Sequence, residues 1–190
     1  SGYFELPSAV TEDFVFECDY RSSSNENVSD LELAESKNSI YANHGVYSNA
    51  NFVFTMARPK NSDKYIINNK SDDSGFTEER YTAPIFSSGS ISGNPWLHVK
   101  VVGDMTNRTV ITYITSLDRK TEYYYGKTDM NVGRDTKINS WKCIHMLSPS
   151  TGADTCIDNI VVRKANKTEL SPIFYTVSIN DYGDEFKQYV

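Results

Sequence analysis

Short runs of β-branched and aromatic residues, separated by clusters of Asn, Asp, Ser, Gly and Pro, recur along most of this 190-residue sequence. An amphipathic helix would repeat its apolar residues at a period near 3.6, and that period is nearly absent. A chain that is interrupted so often by turn-forming residues cannot build long helices, whereas short strands joined by polar turns satisfy the pattern. The sequence therefore predicts an all-β protein.

The apolar runs define the predicted strands. They are residues 14–20, 39–47, 51–57, 64–68, 82–86, 96–102, 109–115, 122–126, 140–146, 156–163 and 173–179. The polar segments 21–32 and 69–79 are predicted to be surface loops. Because so many short strands have to bury a common apolar face, we expect two packed antiparallel sheets, a β-sandwich.

The clearest pattern covers residues 96–126, where three strands are joined by two tight polar turns. Side chains alternate between the two faces of a strand, so the first of these strands has one apolar face and one mixed face. The apolar residues, predicted to be buried, are Leu97, Val99 and Val101. The residues predicted on the opposite face are Trp96, His98 and Lys100. An exposed tryptophan beside a histidine and a lysine is not required by core packing.

Charge and hydropathy narrow the possible functions. The chain carries 25 acidic and 19 scattered basic residues, a formal net charge of −6, and its field would repel phosphate backbones. We therefore expect no nucleic-acid partner. No apolar run reaches the roughly 18 residues that a membrane-spanning helix needs, so membrane insertion is not expected either.

The three cysteines, Cys18, Cys143 and Cys156, match neither a zinc ribbon nor a redox C-x-x-C motif. Two interpretations fit them. Cys143 and Cys156 lie in late predicted strands and could form one disulfide bridge, or all three could be free thiols packed as small apolar side chains.

Three stretches resemble the jelly-roll β-sandwiches of the concanavalin-like class, which include carbohydrate-binding modules of secreted bacterial glycan-degrading proteins. They are residues 13–20 (DFVFECDY), the three-stranded meander 96–126, and residues 156–162 (CIDNIVV). The resemblance covers roughly residues 10 to 163 and implies a jelly-roll domain over residues 1–163. Residues 164–190 are then a connector plus a strand, which either completes the sandwich or begins a following module.

The same resemblance implies a metal site. In such sandwiches the first and last strands are neighbours, and several members hold structural calcium there. Asp158, with Glu17 or Asp19, becomes a candidate set of oxygen ligands for calcium. The alternative is that Asp158 and Asn159 fix a bulge or turn through local hydrogen bonds.

Catalytic motifs are mostly missing. There is no G-x-S-x-G sequence, and the histidines are far apart in the sequence. The pair Glu17 and Asp19 only partly matches the carboxylate pair that glycoside hydrolysis needs. His98 with Tyr113 or Tyr123 could act as the acid/base pair of a polysaccharide lyase. We expect a protein that is not an enzyme, with a lyase or hydrolase on the same fold as one alternative.

Aromatic side chains remain as the functional signal, with 13 tyrosines, nine phenylalanines and two tryptophans. Sugar rings stack on aromatic faces while polar side chains bind their hydroxyls. The candidate ligand-binding residues are Trp96, His98, Lys100, Tyr123, Tyr125 and Trp141, of which Trp141 and the two tyrosines could equally belong to the core. The sequence thus predicts a non-catalytic module that binds a polysaccharide, in a larger secreted or cell-surface multidomain protein. An adhesin or spacer that contacts protein is the other alternative.

Overall fold

The computed structural model describes residues 2–22, 29–36, 52–58, 66–67, 96–115, 122–130, 138–147, 155–171, 174–178 and 185–189. Within these ranges every regular element is a strand, and no helix is long and apolar enough to cross a membrane. The strands are β1 (Gly2–Val10), β2 (Phe14–Ser22), β3 (Ser29–Ala34), β4 (Phe52–Arg58), β5 (Ile66–Ile67), β6 (Leu97–Asp104), β7 (Thr109–Thr115), β8 (Glu122–Asp129), β9 (Trp141–Leu147), β10 (Thr155–Lys164), β11 (Phe174–Ser178) and β12 (Glu185–Tyr189).

Two five-stranded antiparallel sheets form the described fold, which confirms the predicted β-sandwich. Sheet A has the strand order β1-β9-β3-β4-β5, and sheet B has the order β10-β2-β6-β7-β8. The three strands of the meander, β6, β7 and β8, are neighbours in sheet B, as the short turns between them predict. Strand β10 pairs with β2, so the early and late strands are neighbours, as the resemblance implied. Strands β11 and β12 pair with each other in a separate ribbon.

Most predicted strands that fall in the described ranges are present, with ends shifted by a few residues. Strands β1, β3 and β12 were not predicted. Strand β1 contains Pro7 and lacks the apolar alternation that marks a strand, and in the structure it is exposed over most of its length. The predicted loop over 21–32 is wrong at both ends, because residues 21 and 22 belong to β2 and residues 29–32 belong to β3, where Leu31 and Leu33 are buried. The predicted strands 39–47 and 82–86 and the predicted loop 69–79 lie outside the described residues.

The core lies between the two sheets and follows strand alternation. Every second residue of β2 faces inward: these are Phe14, Phe16, Cys18 and Tyr20. The inward residues of β6 are Leu97, Val99 and Val101, which confirms their predicted burial. His98 belongs to the opposite face, where its side chain is 17% exposed. The partners from sheet A include Leu31, Leu33, Phe54, Met56 and Ile144.

Trp141 is the largest fully buried side chain and the centre of the aromatic contacts between the sheets. Its ring centre lies 5.0 Å from that of Phe14 and 6.2 Å from that of Phe16, both edge to face. The Phe14 ring in turn needs Gly103, because a Cβ atom at that position would lie 2.1 Å from it. Trp141 therefore cannot present a stacking surface to a ligand, which corrects its inclusion among the ligand-binding residues.

The three cysteines are free thiols. Cys143 is buried in β9 of sheet A in a small cluster with Ala34 and Phe52, whereas Cys156 lies in β10 of sheet B. Because both are free thiols, the interpretation with a Cys143–Cys156 bridge is wrong and the one with free thiols holds.

We expect Trp141→Ala to lower the free energy of unfolding by about 3–5 kcal/mol, because the lost apolar burial is joined by the cost of a cavity between the sheets. Urea titration followed by circular dichroism measures this change. Trp96→Ala is the matched control, since Trp96 is only half-buried. Equal losses in the two variants would contradict the core position of Trp141.

Candidate functional site

The face of sheet B that points away from sheet A, called here the outer face, combines apolar and charged regions. Its apolar half consists of Val15, Val102 and Ile111, which are buried beneath Ala165 and Leu170. Its other half carries ionisable and aromatic side chains that are only partly buried. A ligand therefore has access to one half of this face, which is the half described next.

Strand register brings the polar residues into two rows across the sheet. The first row contains Glu17, Lys100, Tyr113 and Tyr124. The second row contains Asp19, His98, Thr115 and Glu122. The two rows are adjacent, because successive outward residues on a strand are two positions apart.

His98 lies between two carboxylates at the centre of these rows. Its Nδ1 is 2.8 Å from Asp19 Oδ1, and its Nε2 is 3.3 Å from Glu17 Oε2. The three side chains are 15–24% exposed, so they are ordered by packing but still reach the surface. Because both ring nitrogens are engaged, the imidazole is held in one orientation, which favours binding over proton transfer to a substrate.

Arg163 of β10 extends the network along the edge of sheet B. Its Nη2 donates to Glu169 Oε1 at 2.6 Å and its Nη1 donates to Glu169 Oε2 at 3.0 Å. Its Nη2 also lies 3.5 Å from Glu17 Oε1. The two bonds from Arg163, with a backbone N–H of Asn166, lower the pKa of Glu169 to about 2, and the Arg163 pKa is raised in turn. Glu169 is thus ionised at every physiological pH.

The turn that carries Glu169 is fixed by reciprocal hydrogen bonds. The Asn166 N–H donates to Glu169 Oε2, and the Glu169 N–H donates to Asn166 Oδ1, both at 3.0 Å. The Ala165 N–H donates to the carbonyl of Asp13 at 3.0 Å and ties the turn to the start of β2. Residues 165–171 therefore lie against sheet B and border the charged half of its outer face. The domain boundary after residue 163 stays a prediction.

Aromatic rings border the cluster on both sides. Tyr113 and Tyr124 pack edge to face with ring centres 5.9 Å apart, and Lys100 Nζ lies 5.2 Å from the Tyr113 ring centre. Burial, with a smaller effect from Glu122, raises the pKa of Tyr113 to about 12, so its hydroxyl stays protonated. Trp96 is half-buried and has the Arg21 guanidinium 5.2 Å from its ring centre.

A β-bulge in β10 determines which of its side chains reach this face. Asp158 pairs with Asp19 and Val161 pairs with Glu17, so β10 has one residue more than β2 over this stretch. Asn159 adopts the left-handed conformation with φ at 51°, which asparagine tolerates better than most residues. Its N–H donates to Asp158 Oδ1 at 2.8 Å. This is the bulge that the sequence offered as the alternative to a metal site.

The predicted site residues separate into three groups. His98 and Lys100 lie on the outer face of β6, as their alternation predicts, and Trp96 directly precedes this strand with its ring beside Arg21. The side chains of Tyr123 and Tyr125 lie outside the described part of the chain. Trp141 lies in the core. The residues that the sequence did not assign to the site are Arg21, Glu122, Tyr124, Arg163 and Glu169, of which Tyr124 could have been found from its place in the run of three tyrosines.

A second histidine–carboxylate contact lies in sheet A, and it is buried where the His98 contacts in sheet B are accessible. His145 Nδ1 lies 2.6 Å from Glu32 Oε2 in sheet A. Both residues are almost fully buried, so a ligand cannot reach them. This pair contributes to the packing of β3 and β9, whereas the His98 pair is partly exposed.

The candidate calcium ligands do not form a coordination set. Glu17 and Asp19 contact His98, Arg163 and Asn159, and Asp158 accepts the hydrogen bond from its neighbour's N–H. Among the residues that the structure describes, no three His, Cys, Asp or Glu side chains are placed to hold a metal ion. The described contacts of Asp158, Glu17 and Asp19 therefore favour the bulge over a calcium site at this edge.

No protein-family model and no curated protein matches the sequence. Among solved structures, the fold is similar to the legume lectin-like domain from Entamoeba histolytica, with 10% identity, 86% of this chain and 78% of that chain covered, and a TM-score of 0.51. Xenopus laevis galectin-Ib is also similar, at 11% identity over 85% of this chain and 98% of that chain, with a TM-score of 0.48. At this identity the first likeness shows the fold alone, a two-sheet β-sandwich.

We expect the free energy of unfolding to depend less on pH in Glu169→Gln than in the wild type when the solution is made acidic. The pKa of Glu169 is lowered from its ordinary value of 4.5 to about 2 in the folded protein. The ionised carboxylate therefore stabilises the fold at pH values above 4.5, and this stabilisation is lost as the pH falls towards about 2. The free energy of unfolding, measured by urea titration at several pH values, should therefore fall more steeply for the wild type in this window. Glu12→Gln is the control, because its ion pair with Lys164 is exposed and screened by solvent. Parallel curves for the wild type and Glu169→Gln would contradict a stabilising role for this carboxylate.

We expect EDTA to leave the melting temperature unchanged, because the carboxylates of Glu17 and Asp19 are already balanced by protein groups. Thermal denaturation in metal-free buffer, with and without the chelator, checks this expectation. A melting temperature that falls with EDTA and recovers with added calcium would show that a calcium site exists after all.

Proposed function

We propose that this protein is a non-catalytic, lectin-like carbohydrate-binding domain, and that its site is the charged and aromatic half of the outer face of sheet B. The observation that carries the proposal is His98 held between Glu17 and Asp19, beside Lys100 and the Tyr113–Tyr124 pair. These groups come from four neighbouring strands, so the sheet itself fixes their positions.

The charged and aromatic half of the outer face is chemically complementary to a sugar. Sugar hydroxyls both donate and accept hydrogen bonds, and the surface offers carboxylate acceptors next to the ammonium donor of Lys100. The half-buried rings of Trp96, Tyr113 and Tyr124 supply apolar surface for the C–H face of a pyranose. The ion pairs hold the polar groups in place before a ligand arrives, which lowers the entropy cost of binding.

The charge of the surface favours neutral glycans. Four carboxylates belong to the network: Glu17, Asp19, Glu122 and Glu169. Lys100 and Arg163 are paired with three of these carboxylates, Arg21 lies over the Trp96 ring, and the whole chain has a net charge of −6. A uronate or sulfate group would meet four carboxylates, and Arg21 is the described cation of the site for which no carboxylate partner is shown, so we expect neutral sugars to bind more tightly.

The likeness to the legume lectin-like domain from Entamoeba histolytica supports a fold on which sugar binding is feasible, and the residues of the face support the site. Two finer parts of the sequence-based hypothesis stay predictions. One is the larger secreted or cell-surface multidomain protein, and the other is recognition of a particular polysaccharide.

We expect the chain to bind one or more neutral glycans on an array of neutral, uronate-containing and sulfated glycans. Trp96→Ala and Tyr124→Ala should each weaken binding to the best neutral glycan by about tenfold or more, a loss of about 1.4 kcal/mol, because each removes a ring from the site. Isothermal titration calorimetry measures the affinity, and melting temperatures report whether each variant is folded.

Tyr3→Ala is the matched control, because Tyr3 is an exposed aromatic residue on β1 at the edge of sheet A. It should leave the affinity unchanged. Absence of binding across the array would reject the proposal and leave the adhesin or spacer as the better interpretation. Release of reducing sugars or of unsaturated products from a bound glycan would instead favour a hydrolase or lyase.

A further inference from the structure

We infer that Asn159 is a positioning residue for the proposed glycan site, acting through Asp19 on His98. This inference rests on the proposed function and names a residue outside the set that would touch the sugar. Asn159 performs two separate tasks, one through its backbone and one through its side chain, and each can be removed without the other.

The backbone task follows from the bulge. Ile157 and Val162 both pack against the core, although they are five positions apart and would face opposite sides of a regular strand. The extra residue resets the alternation, so that Val162 points inward and Arg163 points outward towards Glu17 and Glu169. The left-handed conformation of Asn159, with φ at 51°, is part of this arrangement.

The side-chain task is a hydrogen bond to the site. Asn159 Nδ2 donates to Asp19 Oδ2 at 2.6 Å, and the other oxygen of the same carboxylate lies 2.8 Å from His98 Nδ1. Because the acceptor is a carboxylate, the NH2 group of the amide must face it. The amide thus fixes the rotation of the Asp19 carboxylate, and this carboxylate orients the imidazole.

Three substitutions separate the two tasks. Asn159→Gly keeps the left-handed backbone accessible but removes the amide. Asn159→Ala removes the amide and also strains the backbone. Asn159→Asp keeps the size and the tolerance for this conformation, but it replaces the donor by a second carboxylate facing Asp19.

The test uses the full chain, with a soluble galactan, a mannan and a glucan as neutral probes. We expect Asn159→Gly to retain the wild-type melting temperature within a few degrees and to bind the probe roughly tenfold more weakly, as expected for loss of a hydrogen bond to a charged group. Asn159→Asp should bind still more weakly, and Asn159→Ala should also melt at a lower temperature. The ring proton shifts of His98, measured by NMR without any sugar, should change in all three variants.

Asn107→Gly is the matched control. Asn107 is also an exposed asparagine whose Nδ2 donates to a carboxylate, that of Asp104 at 2.7 Å, but it lies in the turn at the opposite end of β6 from His98. It should change neither the affinity nor the His98 shifts. A merely structural role for Asn159 predicts that melting temperature and affinity fall together in Asn159→Ala while Asn159→Gly binds normally, and that result would overturn the inference.

The two proposals fail in different ways. If the wild-type chain binds neither the probes nor any glycan of the array, the proposed function is overturned, and the positioning role with it. A wild-type chain that binds, with Asn159→Gly equal to it in affinity and in His98 shifts, would overturn the role of Asn159 alone.

Discussion

The packing of Trp141 against Phe14 and Phe16 is the contact on which the rest of the structure depends. It joins β9 of sheet A to β2 of sheet B through rings that are fully buried. Once Phe14 and Phe16 face inward, alternation leaves no choice for their neighbours, and Glu17 and Asp19 must face outward. The position of the candidate site is therefore a consequence of how the core is packed.

The partly buried carboxylates on the outer face of sheet B all have charged or hydrogen-bonding partners within the protein. Partly buried carboxylates are costly unless they have charged or hydrogen-bonding partners, and here each carboxylate of the central pair contacts His98. Arg163 joins Glu17 to Glu169, and the turn of residues 165–171 covers the apolar half of the same face. The result is a surface with fixed donors and acceptors that remains partly accessible, whereas the similar pair of His145 and Glu32 in sheet A is sealed.

The bulge in β10 links the core to this surface. A strand without it would place Ile157 and Val162 on opposite faces, and either the core or the ion pairs of Arg163 would be lost. Asn159 occupies the position that permits the bulge and also donates to Asp19. A single residue thus connects the register of an edge strand to the orientation of His98 at the centre of the proposed site.

The sequence by itself determined the fold class and one face of the site. Alternation along β6 was enough to bury Leu97, Val99 and Val101 and to place His98 and Lys100 on the opposite side, because a period of two is a local property of the chain. Local patterns could not assign Trp141, since both faces of its strand carry apolar residues, and only the packing of the two sheets placed it in the core. Tertiary structure alone also brought Arg163 and Asn159 to the two carboxylates that flank His98. Their contacts with Glu17 and Asp19 join residues 146 and 140 positions apart, and they depend on a bulge that shifts the alternation by one residue.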